Sequence, residues 1–195
     1  RVLLRYKYYE MKNNAQDFSS LAPEKFKGLK ETVGWCAKAV DSLADRLQFD
    51  EFQNDEFNLS EIFLSNNQDI LIDSAVLSAL ISACSFVYIR EDNGYPRLQV
   101  IDGSNATGII DPVTNLLTEG YAVLERDSMG VVKTEAYFMA GMTEIYSHGV
   151  LVQRIPNAAP YALLVPIIYR PDAKRPFGHS RISRACIPST QTALR

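Results

Sequence analysis

Residues 163–195, LLVPIIYRPDAKRPFGHSRISRACIPSTQTALR, contain the change of pattern on which the fold prediction depends. The stretch opens with an apolar run bounded by prolines, which is typical of a short buried strand. Because a proline inside a strand cannot donate a ladder hydrogen bond, Pro166 predicts that this strand lies at a sheet edge or carries a bulge. The following residues, Arg170 to Gly178, include two prolines and a glycine and therefore predict a turn.

The end of the same stretch predicts a helix. Ser180 is a candidate N-cap for a helix that starts near Arg181. Pro188 would kink this helix or confine it to one or two turns. We expect the chain to stop in the middle of this element, so that residues 170–195 form a basic turn and the start of a truncated helix.

The N-terminal part, residues 1–83, has a helical pattern. Apolar residues recur at three- and four-residue steps between Leu29 and Leu47, which favours an amphipathic helix. Asn58 and Ser60 are candidate N-caps for a further helix that runs to about Ala83, either as one long helix or as two pieces.

Residues 84–169 instead predict antiparallel strands that follow one another along the chain. Asn93-Gly94 and His148-Gly149 each separate two apolar runs and are typical of two-residue hairpin turns. Helices followed by such a meander indicate an α+β fold with segregated elements. The predicted organisation is a helical part at 1–83, an antiparallel β part at 84–169 and the basic turn with its truncated helix at 170–195.

Charge is unevenly distributed, although the formal net charge is only -3. From Arg170 to the end there are six Lys/Arg and one Asp, whereas the other residues include fourteen Lys/Arg and twenty-two Asp/Glu. The candidate basic residues for a subunit interface or for contact with DNA are Arg170, Lys174, Arg175, Arg181 and Arg184. The candidate acidic interface residues are Asp41, Asp45, Asp50, Glu51, Asp55 and Glu56.

Three interpretations of these charges remain open. The basic residues pair with acidic segments of the same or a neighbouring chain, they bind nucleic-acid phosphates, or they are simply solvated. Tyr169 and Phe177 lie among them and would allow stacking on single-stranded nucleic acid.

No motif in the sequence indicates catalysis. Neither a G-x-x-x-x-G-K-[ST] phosphate loop nor a G-x-S-x-G nucleophile elbow is present, and His and Cys do not recur at zinc-ligand spacing. His179 and Ser180 form a nominal pair, but adjacent residues rarely act as base and nucleophile. We therefore predict no catalytic residues, no metal site and no cofactor. Cys36, Cys84 and Cys186 are far apart in the sequence, which predicts isolated, buried thiols in a reducing, intracellular compartment.

Several segments, taken in order, resemble the portal proteins of tailed double-stranded DNA bacteriophages, in particular those of long-tailed phages and prophages. The resemblance covers about residues 33–195. Val40–Leu47 is similar to a family helix that ends in "ADRL", and Asn66-x-x-Asp69 precedes the next helix. The remaining segments are the strand Ser85–Ile89, the hairpin Ile109–Pro112 and the stretch 165–182 with its VPI, YRP and PFGHSRI pieces. The order and spacing of the five segments carry the resemblance.

The chain departs from the portal pattern in two places. Ala83-Cys84 occupies the helix-to-strand junction, where the family commonly has a glycine. Pro188 lies in the final predicted helix.

The resemblance implies a structural, non-enzymatic subunit of a ring, typically of twelve copies, at one capsid vertex. DNA is packaged and ejected through such a ring, and the terminase motor, head–tail connector proteins, scaffold and capsid proteins bind to it. The protein would be made in the bacterial cytoplasm and located in the virion. Residues 1–195 would then form the outer wing, with stem, clip and crown following. The alternatives are a nucleic-acid-binding or interaction module of bacterial origin and, as a weaker alternative, a hydrolase that uses His179 and Ser180.

Overall fold

In the computed structural model, residues 1–12 and 33–193 are described, and they form the α+β fold that the sequence predicts. The start of the helix predicted from Leu29, up to residue 32, lies outside the described ranges. The helices are α1 (Val2–Tyr9), α2 (Trp35–Ala44), α3 (Leu59–Ser65), α4 (Gln68–Ser82) and α5 (Cys186–Ala193). The strands are β1 (Cys84–Asp92), β2 (Tyr95–Asp102), β3 (Ala106–Ile110), β4 (Leu117–Arg126), β5 (Val132–Met139), β6 (Met142–Ser147), β7 (Val150–Pro156) and β8 (Leu164–Ile168).

The strands form two antiparallel sheets. Strands β3 to β7 follow one another as the predicted meander, in the order β3-β4-β5-β6-β7. Strand β8 leaves this meander and returns to β1, which gives a second sheet of order β2-β1-β8. The Pro166 strand was predicted to lie at a sheet edge or to carry a bulge, and the edge position is the one observed, because β8 pairs only with β1.

Three layers result from this topology. The two sheets pack face to face around fully buried side chains such as Phe86 and Phe138, and the Tyr88 ring meets the Phe138 ring edge-on at 5.0 Å. Helix α4 covers the other face of the three-stranded sheet, where the Ser85 hydroxyl donates to the Ala75 carbonyl at 2.7 Å. Helices α1, α2 and α5 pack against α4 around a second apolar cluster, which includes Tyr8, Cys36, Val40, Leu80 and Ile182.

Both predicted two-residue hairpin turns are present. Asn93 and Gly94 have φ of 53° and 81°, and His148 and Gly149 have φ of 49° and 76°. Positive φ at both central residues is characteristic of the type I′ turn, whose twist matches that of the flanking strands.

The helix predicted to end near Ala83 is broken into α3 and α4 at Asn66 and Asn67. Asn67 has a left-handed φ of 53°, which ends the first helix and starts the second. The Asn66 side chain accepts a hydrogen bond from the Leu98 amide and donates one to the Pro96 carbonyl, each at 3.0 Å. This side chain therefore binds the break to the outer edge of β2.

The prediction that Asn58 or Ser60 caps α3 is wrong. Asn58 adopts a left-handed conformation and forms no capping bond. Instead, the Asp55 carboxylate accepts from the Leu59 amide at 2.6 Å and the Ser60 amide at 2.7 Å. Hydrogen bonds from Ser60 hold the pKa of Asp55 below its usual value.

The junction between α4 and β1 is strained. Ala83 is buried and has a φ of 98° and a ψ of -31°, a conformation that favours glycine. Such residues cost about 1–3 kcal/mol and persist only where their surroundings fix them. The turn between α4 and β1 thus has positive φ at an alanine.

Across the described ranges 1–12 and 33–193, none of the helices combines the length and the apolar character needed to cross a membrane.

We predict that Ala83→Gly raises the free energy of unfolding by about 1 kcal/mol, because glycine adopts positive φ without a Cβ clash. The matched control is Ala75→Gly, a buried alanine in the middle of α4. It should lower the free energy of unfolding by about 1 kcal/mol through lost helix propensity. Urea titration followed by circular dichroism measures both changes, and a destabilised Ala83→Gly variant would contradict the assignment of strain.

Candidate interaction surfaces

We call residues 170–184 the basic turn and residues 41–61 the acidic segment. The Asp172 carboxylate organises the first half of the basic turn. It accepts hydrogen bonds from the backbone amides of Lys174 at 2.8 Å and Arg175 at 2.7 Å, and from His179 Nε2 at 2.6 Å. The Arg175 guanidinium lies 3.2 Å from the other ring nitrogen of His179. The bond from His179, followed by those from the amides, holds the pKa of Asp172 below its usual value.

The second half of the basic turn is anchored to the carboxyl end of α4. The Ser180 hydroxyl donates to the Ile81 carbonyl at 2.6 Å, and the Arg181 amide donates to the Leu80 carbonyl at 2.8 Å. The Arg181 guanidinium also donates to the Ala39 carbonyl of α2 at 2.9 Å. This half of the turn is therefore fixed to two helices.

These anchors explain why the prediction of a helix capped by Ser180 is wrong. The Ser180 hydroxyl is occupied by α4, and residues 181–185 follow the surface of the helical layer before α5 begins at Cys186. The Cys186 amide, at the start of α5, lies 3.3 Å from the Ser183 hydroxyl. Pro188 is tolerated because it lies in the first turn, where its missing N–H has no intrahelical partner.

All five candidate basic residues are exposed, although two of them have partners within the chain. Arg175 contacts His179 and Arg181 contacts Ala39, as described above. Arg170, Lys174 and Arg184 lie on the surface of the same segment. All five residues therefore contribute positive charge to the surface of the basic turn, and these three are not among its internal anchors.

Helix α1 adds positive charge that sequence analysis missed. The Arg5 guanidinium donates to the Ser82 carbonyl at 2.5 Å, again at the carboxyl end of α4. Burial lowers the pKa of Arg5, and the positive charges of Arg1 and Arg175 lower it further. Arg5 lies far from the basic turn in the sequence, and only the register of α1 along α4 reveals its position.

The acidic segment also divides into two groups. Asp55 caps α3, and Asp41 accepts from the Tyr9 hydroxyl at 3.0 Å. Burial and this bond raise the pKa of Tyr9 to about 12. The other four candidate acidic residues are exposed. They are Asp45, Asp50, Glu51 and Glu56.

The acidic segment and the basic turn do not pair with each other in a single chain. Among the ion pairs of the described residues, none joins residues 41–61 to residues 170–184. A cleft of about 430 Å³ beside the acidic segment is lined by Tyr9, Asp41, Asp45 and Asp73. Both charged surfaces are thus available to other molecules.

The nominal pair of His179 and Ser180 contacts two different sets of groups. The His179 ring bonds Asp172 and Arg175, whereas the Ser180 hydroxyl bonds the carbonyl of Ile81 and accepts from the Ile182 amide at 3.0 Å. This geometry gives the hydroxyl a structural role. Within residues 1–12 and 33–193, no group of three or more His, Cys, Asp or Glu side chains is arranged to hold a metal ion.

A further polar surface was not predicted. The five-stranded sheet carries three tyrosine–glutamate hydrogen bonds, which join Tyr121 to Glu135, Tyr137 to Glu119 and Tyr146 to Glu144. The hydrogen bond that Tyr121 donates to Glu135, together with burial, raises the pKa of Tyr121 to about 12. The sequence signal was the alternation of Tyr and Glu in β4 to β6, which becomes informative once the hairpins are in register.

In the comparison with known proteins, no family model and no curated protein matches this chain. The portal resemblance therefore depends on the quoted segments and their order.

We predict that Gly178→Ala disrupts the basic turn. Gly178 has a φ of 74°, and a Cβ at this position would lie 2.3 Å from the Tyr169 carbonyl oxygen. The matched control is Gly94→Ala, which has a φ of 81° but open space around the added Cβ. The control should cost about 1–2 kcal/mol for its conformation alone. Thermal unfolding should show a clearly larger loss for Gly178→Ala, and equal losses would contradict the close approach.

Proposed function

We propose that this chain is the wing part of a structural subunit that assembles into a portal-like ring at the capsid vertex of a tailed bacteriophage or prophage. DNA would pass through the ring, and the packaging motor, connector, scaffold and capsid proteins would bind to it. The observation that carries the proposal is the presence of two exposed segments of opposite charge that no ion pair of the described residues joins. The resemblance of the five segments supports the same assignment.

The charged surfaces suit a heterologous interface, in which two different faces of one subunit meet and repetition closes a ring. Asp172 and Asp55 stabilise the local structure of their own segments by accepting backbone hydrogen bonds. The remaining charges, such as Lys174 and Asp50, are exposed. Complementary charges of this kind give an interface its specificity and fix its register.

Strand β7 provides a second argument for assembly. It is an edge strand of the five-stranded sheet, and all seven of its residues are exposed. Val150 and Val152 are 66% and 59% exposed. Exposed apolar edge strands promote unwanted pairing, and proteins usually cover or charge them. A neighbouring subunit would cover this edge.

Nucleic-acid binding is a second candidate function, because Arg5 and Arg1 extend the basic turn. The positive charges of Arg1 and Arg175 are both close enough to Arg5 to lower its pKa. A basic surface of this kind binds the phosphate backbone without reading the sequence.

We predict that Lys174→Glu combined with Arg184→Glu weakens ring assembly of the full-length protein. These residues are exposed and their side chains are not among the internal anchors of the turn. The expected shift is about tenfold or more in the concentration needed for assembly, since opposed like charges destabilise an interface. Native mass spectrometry across a dilution series measures this shift.

Two controls sharpen the experiment. Arg90→Glu with Lys133→Glu changes the net charge of the protein by the same amount, but in β1 and β5 and not in the basic turn. This control should leave assembly intact. Asp50→Lys with Glu51→Lys, combined with the reversed basic turn, should restore assembly if the two surfaces meet. Unchanged assembly after reversal, or failure of the swap to rescue, would count against this interface.

The nucleic-acid alternative makes a different prediction. If the basic turn binds phosphates, affinity for a random-sequence DNA duplex should fall with salt, with a log–log slope near -0.9 for each phosphate neutralised. Fluorescence anisotropy at several salt concentrations gives the slope. Lys174→Glu with Arg184→Glu should make the slope shallower by the amount expected for the loss of about two phosphate contacts. A subunit that assembles through charge pairing would instead lose its ring and show no such DNA slope.

A further inference from the structure

Cys36 and Cys186 lie side by side, contrary to the prediction of isolated thiols. Their Sγ atoms are 3.0 Å apart although the residues are separated by 150 positions in the sequence. We propose that these two cysteines form a redox modification site, at which oxidation by a low-molecular-weight disulfide such as oxidised glutathione joins α2 to α5. This inference does not depend on the proposed function.

The geometry requires only a small movement. A disulfide bond is about 2.05 Å long, so the two sulfur atoms need to approach by about 1 Å. Cys186 is the first residue of α5 and follows an irregular segment, which can absorb such a shift. Cys36 is the second residue of α2 and is fully buried, within the cluster that includes Tyr8 and Val40.

The environment of the pair distinguishes the roles of the two thiols. Burial, followed by the contact with Cys186, raises the pKa of Cys36 to about 11. Its Sγ also lies 3.5 Å from the hydroxyl of Thr190, one turn further along α5. Cys186 is half-buried and is therefore the thiol that an external disulfide reaches first.

Cys84 serves as an internal reference. It is buried at the start of β1, in the cluster between the two sheets, whereas Cys36 and Cys186 belong to the helical cluster. Burial raises the pKa of Cys84 to about 11 as well. A structurally specific reaction will therefore leave this third thiol unmodified.

The reaction has two balanced steps. The Cys186 thiolate attacks one sulfur of oxidised glutathione, which breaks the glutathione disulfide, forms a mixed disulfide and releases one glutathione thiolate. Cys36, on losing its proton, attacks Cys186 Sγ and displaces the second glutathione thiolate. Two protein thiols are oxidised, one glutathione disulfide is reduced to two thiols, and the two protein protons go to the released thiolates.

The bond would fix the C-terminal helix to the helical layer. In the reduced protein, α5 is held by apolar contacts and by the Gln191 side chain, which donates to the Tyr8 hydroxyl at 2.5 Å. Closing a loop of 150 residues restricts the unfolded chain strongly. We expect the melting temperature to rise by about 5 °C or more on oxidation.

The experiment uses the full chain in its native state. The protein is incubated with oxidised glutathione, free thiols are alkylated, and the linked peptides are mapped by mass spectrometry beside non-reducing electrophoresis and thermal unfolding. We expect a monomeric species lighter by two hydrogen atoms, a Cys36–Cys186 peptide and a higher melting temperature that dithiothreitol reverses. Cys84→Ser should retain all three results.

Two variants keep the test independent of folding. Cys36→Ser changes a buried side chain, whereas Cys186→Ser changes a half-buried one, and both should lose the bond and the stabilisation. Three results would each overturn the proposal. They are linkage of either residue to Cys84, a glutathione that stays on Cys186 without formation of the Cys36–Cys186 bond, and native protein that stays fully reduced.

Discussion

A helix leaves its last carbonyl groups without intrahelical hydrogen bonds, so the carboxyl end of α4 needs donors from elsewhere in the chain. The segments that provide these donors are placed around this end of the helix. Arg181 and Ser180 donate to the carbonyls of Leu80 and Ile81, while Arg5 donates to that of Ser82. The donors come from both ends of the chain. Positive side chains are also favoured here, because the helix dipole is negative at this end.

This convergence sets the position of the three-stranded sheet. Strand β1 starts directly after Ala83, and the Tyr169 amide donates to the Ala83 carbonyl at 2.9 Å, which aligns β8 beside β1. The basic turn follows β8 and returns at once to α4. Strain at Ala83 is tolerated because strand pairing on one side and the donors on the other fix the backbone. The charged surface therefore has a defined position relative to the helical layer.

Local signals in the sequence were sufficient to place helices before the strands, to locate the two-residue hairpins and to predict that β8 lies at an edge or carries a bulge. Asn93-Gly94 needs no distant partner to form its turn, and a proline in a strand excludes a central position wherever that strand pairs. The pairing of β8 with β1 and the contact of Asn66 with β2 join residues that are distant in the sequence. Ser180 shows most clearly the limit of prediction from local sequence. It has the side chain of a helix N-cap and a helix follows it, yet its hydroxyl donates to a carbonyl of α4.

The same limit applies to the charged surfaces, where counting gives the net charge of a segment but not which charges face outward. Asp55 and Asp172 have the same composition signal as Asp50, yet each is engaged by backbone amides of its own segment. Because a hydrogen-bonded carboxylate keeps its charge, the basic turn has one negative charge among five positive ones, and the acidic segment has five exposed acids. Since no ion pair of the described residues joins the two surfaces, their electrostatic complementarity is available between chains, which is the property that a repeating assembly uses.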